Sequence, residues 1–344
     1  MEFSKTLTQL LNAEDLDFNQ STDLMNEIME GKLSLTQISA LLVALRMKGE
    51  SPVEIAGFAK TMRAKTHSID VAKDLLVDTC GTGGDGKNTI NVSTAAAFVV
   101  AACGGKVAKH GNRSVSSKCG SADVLDALGV NINVDQKIVQ DCIENVGIGF
   151  LFAPNWHPAM KFVVPVRKEL GIRTVFNILG PLTNPAGAKY QIIGCFDKEF
   201  ASKMSQALKE PELGIERAFV VHGFDGMDEV TTTDKTYIYE VKNNLVDEYE
   251  FDPTDYGIQL ATQKDLEGGS AEDNAQLIKD ILSGEKSPKR DIVVVNAAFA
   301  ILACGLVENI DEAIKLCQEK IDDSSAMKKC EELIEFTNRE HSIH

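Results

Sequence analysis

Residues Asp78 to Thr94 read Asp-Thr-Cys-Gly-Thr-Gly-Gly-Asp-Gly-Lys-Asn-Thr-Ile-Asn-Val-Ser-Thr, between the apolar run Leu75-Leu76-Val77 and an alanine-rich stretch that reaches Cys103. This order admits few backbones. The apolar run has the character of a buried strand. Gly81, Gly83, Gly84 and Gly86 then let the chain turn and approach another group with no Cβ in the way. The next stretch reads as a helix, with Asn91, Ser93 or Thr94 available as its cap. A strand, glycine turn and helix in this order leave unpaired N–H groups at the positive end of the helix, where an anion is stabilised. Such a turn can also be only a tight connection, but four glycines interleaved with Thr, Asp, Lys and Asn exceed what one turn demands.

Two nucleotide motifs fail here. The spacing from Gly81 to Gly86-Lys87 fits a P-loop, yet Asn88 stands where a hydroxyl must reach magnesium. Gly81, Gly83 and Gly86 meet the dinucleotide pattern G-x-G-x-x-G, but no acidic residue lies between Val99 and Lys106 to hold a ribose diol. Another phosphate ligand is implied.

From Ser4 to about Lys65 the pattern is helical: Leu7, Leu10 and Leu11, Leu24 and Ile28, then Ile38, Leu41, Leu42 and Leu45 recur at three and four residues, with start signals at Ser34 and Ser51-Pro52. From Leu75 onward short apolar runs alternate with helical patterns. Leu75–Val77, Lys106–Ala108, Ile148–Phe152, Gln191–Gly194 and Ala218–Val221 read as strands, and Lys235–Phe251 as a hairpin around Asn243-Asn244. The last third is helical again over Ala271–Leu282, Asp291–Cys304 and Asp311–Lys320. This predicts an α/β fold with a largely parallel sheet behind a small all-helical domain. The boundary falls near residues 67–74, giving domains 1–70 and 71–344, with a segment within 158–185 returning to the helices.

The net charge of −16 argues against nucleic acid as a partner, because non-specific binding to a polyanion relies on clustered Lys and Arg. It does not exclude a small phosphate, since a nest of N–H groups, a few cations and a metal reverse the potential in one cleft. Eight scattered cysteines without a C-x-x-C pair read as reduced thiols. No membrane span of about 18 apolar residues and no signal segment are visible, so a cytoplasmic location is expected.

Three further segments carry chemistry. Lys109-His110-Gly111-Asn112-Arg113-Ser114-Val115-Ser116-Ser117-Lys118-Cys119-Gly120-Ser121 follows a strand and precedes a helix. Its cations, serines and N–H groups suit phosphate oxygens, and Asn112 can orient a second substrate, although a solvated polar loop has a similar composition. His157, between Trp156 and Pro158, reads either as a ligand contact or as a structural cap, and Arg167 as an exposed helical cation beside Lys161, Lys168 and Glu169. The turn Gly223-Phe224-Asp225-Gly226-Met227-Asp228-Glu229 follows a strand and offers hard oxygen ligands suited to magnesium, or a merely solvated acidic turn.

At these residues the chain resembles the anthranilate phosphoribosyltransferase family. The matching blocks are GTGGDG from Gly81, NVST from Asn91, KHGNRSVSSKCGSADVLDALG from Lys109, FAPNWHPAMK from Phe152, TVFNILGPLTNPA from Thr174 and GMDE from Gly226, in order along nearly the whole chain. The resemblance implies transfer of a phosphoribosyl group from phosphoribosyl pyrophosphate to the amine of anthranilate, in tryptophan biosynthesis. It also implies a homodimer and two magnesium ions per monomer, and an apolar face within the first 60 residues places the dimer surface on the helical domain.

By motif, Gly81, Gly84, Asp85, Thr89, Asn91, Val92, Ser93, Thr94 and Lys109 to Ser117 (Lys109, His110, Gly111, Asn112, Arg113, Ser114, Val115, Ser116, Ser117) would hold phosphoribosyl pyrophosphate, joined by Ser121. Gly81, Asn112, His157 and Arg167 would face anthranilate. Ser93, Asp228 and Glu229 would hold magnesium, and Lys109, Asp228 and Glu229 would be catalytic. Ile90 stands where an aromatic is common in the family, and Cys119 where a small hydroxyl residue is common. A pyrimidine-nucleoside phosphorylase would share the fold and a Lys-His motif but not the paired acidic turn, and a catalytically silent phosphosugar sensor is the alternative outside enzymes.

Overall fold

The protein is described by a computed structural model covering residues 2–114 and 118–339. Four helices come first: α1 (Phe3–Leu11), α2 (Phe18–Met29), α3 (Leu35–Lys48) and α4 (Pro52–Ala64). The last three begin at side-chain acceptors. Asp17, Ser34 and Ser51 each accept from the N–H three residues on, and Gln20, Gln37 and Glu54 return the bond, satisfying donors that a helix start otherwise leaves orphaned.

The remaining chain alternates. It runs through β1 (Leu76–Gly81), α5 (Val92–Ala102), β2 (Lys106–Gly111), α6 (Ser121–Leu128), α7 (Gln136–Asp141), β3 (Ile148–Phe152), α8 (Ala153–Trp156), α9 (Val164–Leu170), α10 (Phe176–Leu179), β4 (Tyr190–Gly194), α11 (Lys198–Leu208) and β5 (Arg217–Gly223). The hairpin β6 (Thr236–Lys242) and β7 (Leu245–Phe251) follows, then α12 (Ala271–Leu282), α13 (Pro288–Ala303), α14 (Ile310–Asp322) and α15 (Ser325–Asn338). Asn243 and Asn244 both have positive φ, 53° and 59°, as the two-residue turn of a right-twisted hairpin requires.

One seven-stranded sheet results, in the order β3-β2-β1-β4-β5-β6-β7. Strands β1 to β5 pair in parallel and the hairpin adds antiparallel strands at one edge. The order runs outward to β2 and β3 on one side of β1 and to β4 and beyond on the other. A crevice opens at such a reversal, beyond the carboxyl ends of the strands.

Side chains alternate across the sheet, so each strand feeds two cores. Val77, Ile192, Phe219 and Val221 pack with α5 and α13, while Cys80, Ile193, Ala218 and Val220 pack with α2 to α4, α11 and Val163 to Leu182. Helix α13 is apolar nearly all round because other elements enclose it, and Phe299 meets Phe219 and Phe251 edge to face at 5.1 and 5.2 Å.

Several boundaries differ from the sequence pattern. β1 continues through Asp78, Thr79 and Cys80, and β2 continues through Lys109 and His110 to Gly111, so residues read as loop belong to buried strand ends. The Asp78 carboxylate explains part of this: it accepts the His110 N–H at 3.1 Å, replacing a ladder bond between the two strands. Helix α15 escaped the sequence pattern because its buried stripe is Ala326, Cys330, Leu333 and Thr337, mostly small or polar residues.

Candidate active site

The glycine turn leaves β1 and sits over the end of β4. Gly83, Gly84 and Gly86 have φ of 65°, 81° and 74°, a region where a side chain is strained. The Gly83 N–H donates to Asp228 Oδ2 at 2.8 Å, and Asp85 Oδ1 accepts from Lys87 N–H. Arg173, on the stretch between α9 and α10, lies 3.9 Å from the Phe196 ring centroid and donates from Nη2 to the Gly84 carbonyl. A strap formed by residues 263–269 backs the far side: Gln263 donates to the Lys87 carbonyl, Ile90 N–H to Leu266, and Gly268 N–H to Asn88.

Asn91 stands at the start of α5, as expected, but its side chain does not cap the helix. Its Nδ2 donates to the Cys119 carbonyl at 3.1 Å, and its Oδ1 accepts from Asn274 Nδ2 at 2.9 Å. Two neighbouring residues are less available as donors than their motif implies. Val92 N–H bonds to Ile90 and Thr94 N–H to Asn91, and both side chains are buried, Thr94 Oγ1 without a partner. Ser93 remains in play. Its Oγ accepts from Lys109 at 3.2 Å and its carbonyl from Thr79 Oγ1, and its backbone N–H favours the ionised Glu229 carboxylate. Thr89 bridges to Glu267.

Lys109 projects from β2 into the floor. It is 2% exposed and donates to the Thr79 carbonyl at 2.5 Å. Burial pulls its pKa down while the Asp78 and Glu229 carboxylates pull it up. Asp228 and Glu229 face the same floor from the turn after β5. Burial raises both carboxyls above the usual range, and neighbouring acids add to it, chiefly Asp85 for Asp228 and Asp228 for Glu229. Asp228 N–H lies 3.4 Å from Asp85 Oδ2.

Crowded carboxylates of raised pKa require a cation to ionise together. Among the described residues no three His, Cys, Asp or Glu side chains form a closed metal cage. Magnesium does not need one, because it takes one or two carboxylates and completes its shell with water and phosphate oxygens. Asp228, Glu229 and the Ser93 hydroxyl fit that demand.

Gly111 ends β2, and a Cβ there would lie 2.2 Å from Ser121 Oγ, which donates to the Asn112 carbonyl. Arg113 is paired within the protein, at an exposed position. Its guanidinium pairs with Asp123 at 2.9 Å and Asp126 at 2.6 Å on α6, while Asp123 also accepts from Ser114 and Gly120 N–H, so two carboxylates one helical turn apart claim it. Val115, Ser116 and Ser117 lie outside the described residues.

His110 and His157 face each other, Nε2 to Nε2 at 3.0 Å. Burial holds both neutral, with pKa values of about 3 and about 4. The Gly180 backbone opposes burial slightly at His110, and of the two facing Nε2 atoms one must carry the shared proton. Arg167 is half-buried, not exposed, and lies on α9 apart from Lys161, which belongs to the separate turn Pro158–Phe162. Burial lowers its pKa, and among the described residues no carboxylate pairs with it.

Gly194, Asn274 and Arg173 form part of this site without any motif that marks them. The first packs directly beneath Asp228: a Cβ on Gly194 would lie 1.5 Å from the Asp228 carbonyl oxygen.

Two family models match: "Glycosyl transferase family, helical bundle domain" over residues 4–66 and "Glycosyl transferase family, a/b domain" over residues 73–327. The sequence is 54% identical over 97% of its length to the anthranilate phosphoribosyltransferase of Acetivibrio thermocellus, 96% of which is covered. It is 50% identical, over 97% of this chain and 98% of the relative, to that of Thermoanaerobacter sp.. Among solved structures, anthranilate phosphoribosyltransferase from Thermus thermophilus superimposes with a TM-score of 0.91 at 40% identity, covering 97% of this chain and 99% of that one. The Saccharomyces cerevisiae enzyme in complex with PRPP and Mg gives 0.88 at 28% identity, covering 97% of each.

Proposed function

The chain belongs to the anthranilate phosphoribosyltransferase family, and from that membership we propose that it transfers the 5-phosphoribosyl group of phosphoribosyl pyrophosphate to the amine of anthranilate, releasing pyrophosphate, in tryptophan biosynthesis. The observation that carries this reading is the convergence of the glycine turn, the β2 terminus with Lys109 and the Asp228-Glu229 turn at one sheet reversal. The yeast relative solved with PRPP and Mg supports the donor and the metal, and another solved with 4-fluoroanthranilate supports the acceptor.

Breaking the bond from ribose C1 to pyrophosphate builds positive charge on the sugar and negative charge on the leaving group. Lys109, buried and aimed from the floor, and the N–H groups of the glycine turn stabilise the negative side, and no protein nucleophile is required. Asp228, Glu229 and Ser93 would hold magnesium, which would supply further neutralisation of phosphate charge. Asn112, His157 and Arg167 orient anthranilate so that its neutral amine meets C1 from the opposite face. We assign two magnesium ions per monomer, a homodimer formed through the helical domain and a cytoplasmic location as parts of the same proposal.

The test mixes the protein with magnesium, phosphoribosyl pyrophosphate and anthranilate, and follows anthranilate fluorescence alongside pyrophosphate. Magnesium-dependent loss of anthranilate, stoichiometric with pyrophosphate release, is expected. Tight binding of the phosphosugar with no turnover would favour the sensor reading.

A further inference from the structure

Asn274 lies 183 residues from Asn91 in sequence, on the first turn of α12, and is 2% exposed. A buried amide must satisfy its polar atoms, and this one does so with parts of the active site. Its Nδ2 donates to Asn91 Oδ1 at 2.9 Å, and its Oδ1 accepts the Gly269 N–H at 2.7 Å. The first bond decides which way the Asn91 amide faces. With Oδ1 committed to Asn274, the Asn91 Nδ2 points at the Cys119 carbonyl, on the loop after β2. The second bond holds the strap, whose Gly268 N–H and Leu266 carbonyl pair with Asn88 and Ile90. Gly268 has no room for a side chain, since a Cβ would meet Asn274 Oδ1 at 2.6 Å and the Thr89 carbonyl at 3.0 Å.

We propose that Asn274 is a positioning residue for the phosphoribosyl pyrophosphate site: it sets the orientation of the Asn91 amide and thereby holds the end of the glycine turn, the Cys119 carbonyl and the strap in one register. It does not touch substrate and acts through Asn91. The inference rests on the assignment of Asn91 to that substrate, made under the proposed function.

Steady-state kinetics of Asn91→Ala, Asn274→Ala, the double variant and Asn274→Asp test it, with thermal unfolding measured on each. Loss of one oriented hydrogen bond in each single Ala variant is expected to raise KM for phosphoribosyl pyrophosphate about tenfold. KM for anthranilate should rise less than that for the phosphosugar, because His157 and Arg167 lie outside the segments that Asn274 ties together. The double variant should be no worse than the worse single one, since both remove the same bond. Asn274→Asp keeps an acceptor for Gly269 and removes the donor to Asn91. It also buries a carboxylate beside the Asn91 side-chain carbonyl oxygen and should lower Tm; at an assay temperature where circular dichroism shows every variant folded, it should still raise KM for the phosphosugar, which separates positioning from folding.

A wild-type phosphosugar KM in Asn274→Asp and Asn274→Ala, beside a raised one in Asn91→Ala, would overturn the inference while leaving the site assignment intact. Multiplying effects in the double variant would overturn it as well. An unchanged KM in Asn91→Ala would instead remove Asn91 from the site and take the premise away.

Discussion

Gly194→Ala adds one methyl group at the place where the site has least room. Gly194 closes β4 beside Gly81, and the new Cβ would stand 1.5 Å from the Asp228 carbonyl oxygen and 2.5 Å from its carbon. Carbon–oxygen contacts become ordinary at roughly 3.3 Å, so the Asp228 backbone must retreat by about 1.8 Å, given that β4 is hydrogen-bonded on both sides. The movement carries Asp228 Oδ2 away from Gly83 N–H and shifts Glu229 relative to Ser93 and Lys109. A displacement on the order of 1 Å in a positioned group costs about 100-fold in rate, or about 2.7 kcal/mol of barrier. We therefore expect kcat/KM to fall at least about 100-fold, with a raised magnesium requirement. The assay is the fluorescence decrease of anthranilate at a series of magnesium concentrations, with circular dichroism to establish that the variant is folded. A folded Gly194→Ala protein within about threefold of wild type would refute the argument that Asp228 must be held where it is.

Asp228→Asn with Glu229→Gln should abolish turnover and leave no magnesium dependence; an unchanged magnesium titration would remove both residues from the metal site. His110 and His157 have folded pKa values of about 3 and about 4, below the ordinary 6.5, so the unfolded chain binds more protons as pH falls. Stability is full above about pH 6.5 and declines below it by up to about 1.4 kcal/mol per pH unit for each histidine. His157→Gln keeps a donor for His110 and should flatten that decline in urea unfolding between about pH 6 and 4.5; an unaltered slope would contradict the buried neutral pair. The Lys48 side chain is 2% exposed and binds Asp15 at 2.5 Å and the fully buried Glu54 side chain at 2.8 Å. Lys48→Met strands that carboxylate and should cost about 3 kcal/mol in denaturant unfolding, whereas a cost near zero would mean that Glu54 is satisfied by Leu16 and Ser51 N–H alone.

Periodicity and punctuation made the fold class legible, because strand, turn and helix signals are local. Ser34 and Ser51 announce their helices within three residues, and Asn243-Asn244 announces its hairpin. The segments that meet at the site were legible for the same reason: each carries its glycine turn or charge cluster at a strand end. What the sequence did not disclose depends on partners far along the chain. Arg113 reads as an unpaired cation until α6 folds back and offers Asp123 and Asp126. Lys109 reads as loop until Asp78 extends the pairing of its strand. Asn274 looks like one more polar residue in the first turn of a helix, and only the assembled strap gives its amide a function.

The helical segment and the α/β segment are recognised separately along the chain, at residues 4–66 and 73–327, yet they do not pack as separable modules. A single apolar cluster takes Leu24, Leu41 and Phe58 from the helices, Val163 to Leu182 from the middle of the chain, and Ile193, Val220 and Tyr239 from the sheet. Arg63 stitches the same seam, donating to the Leu182 and Leu213 carbonyls. For anyone recombining relatives, a crossover at residues 67–72 would therefore join one parent's helices to another parent's complementary surface. Inheritance of the 163–182 stretch together with the helices is the cut that respects packing.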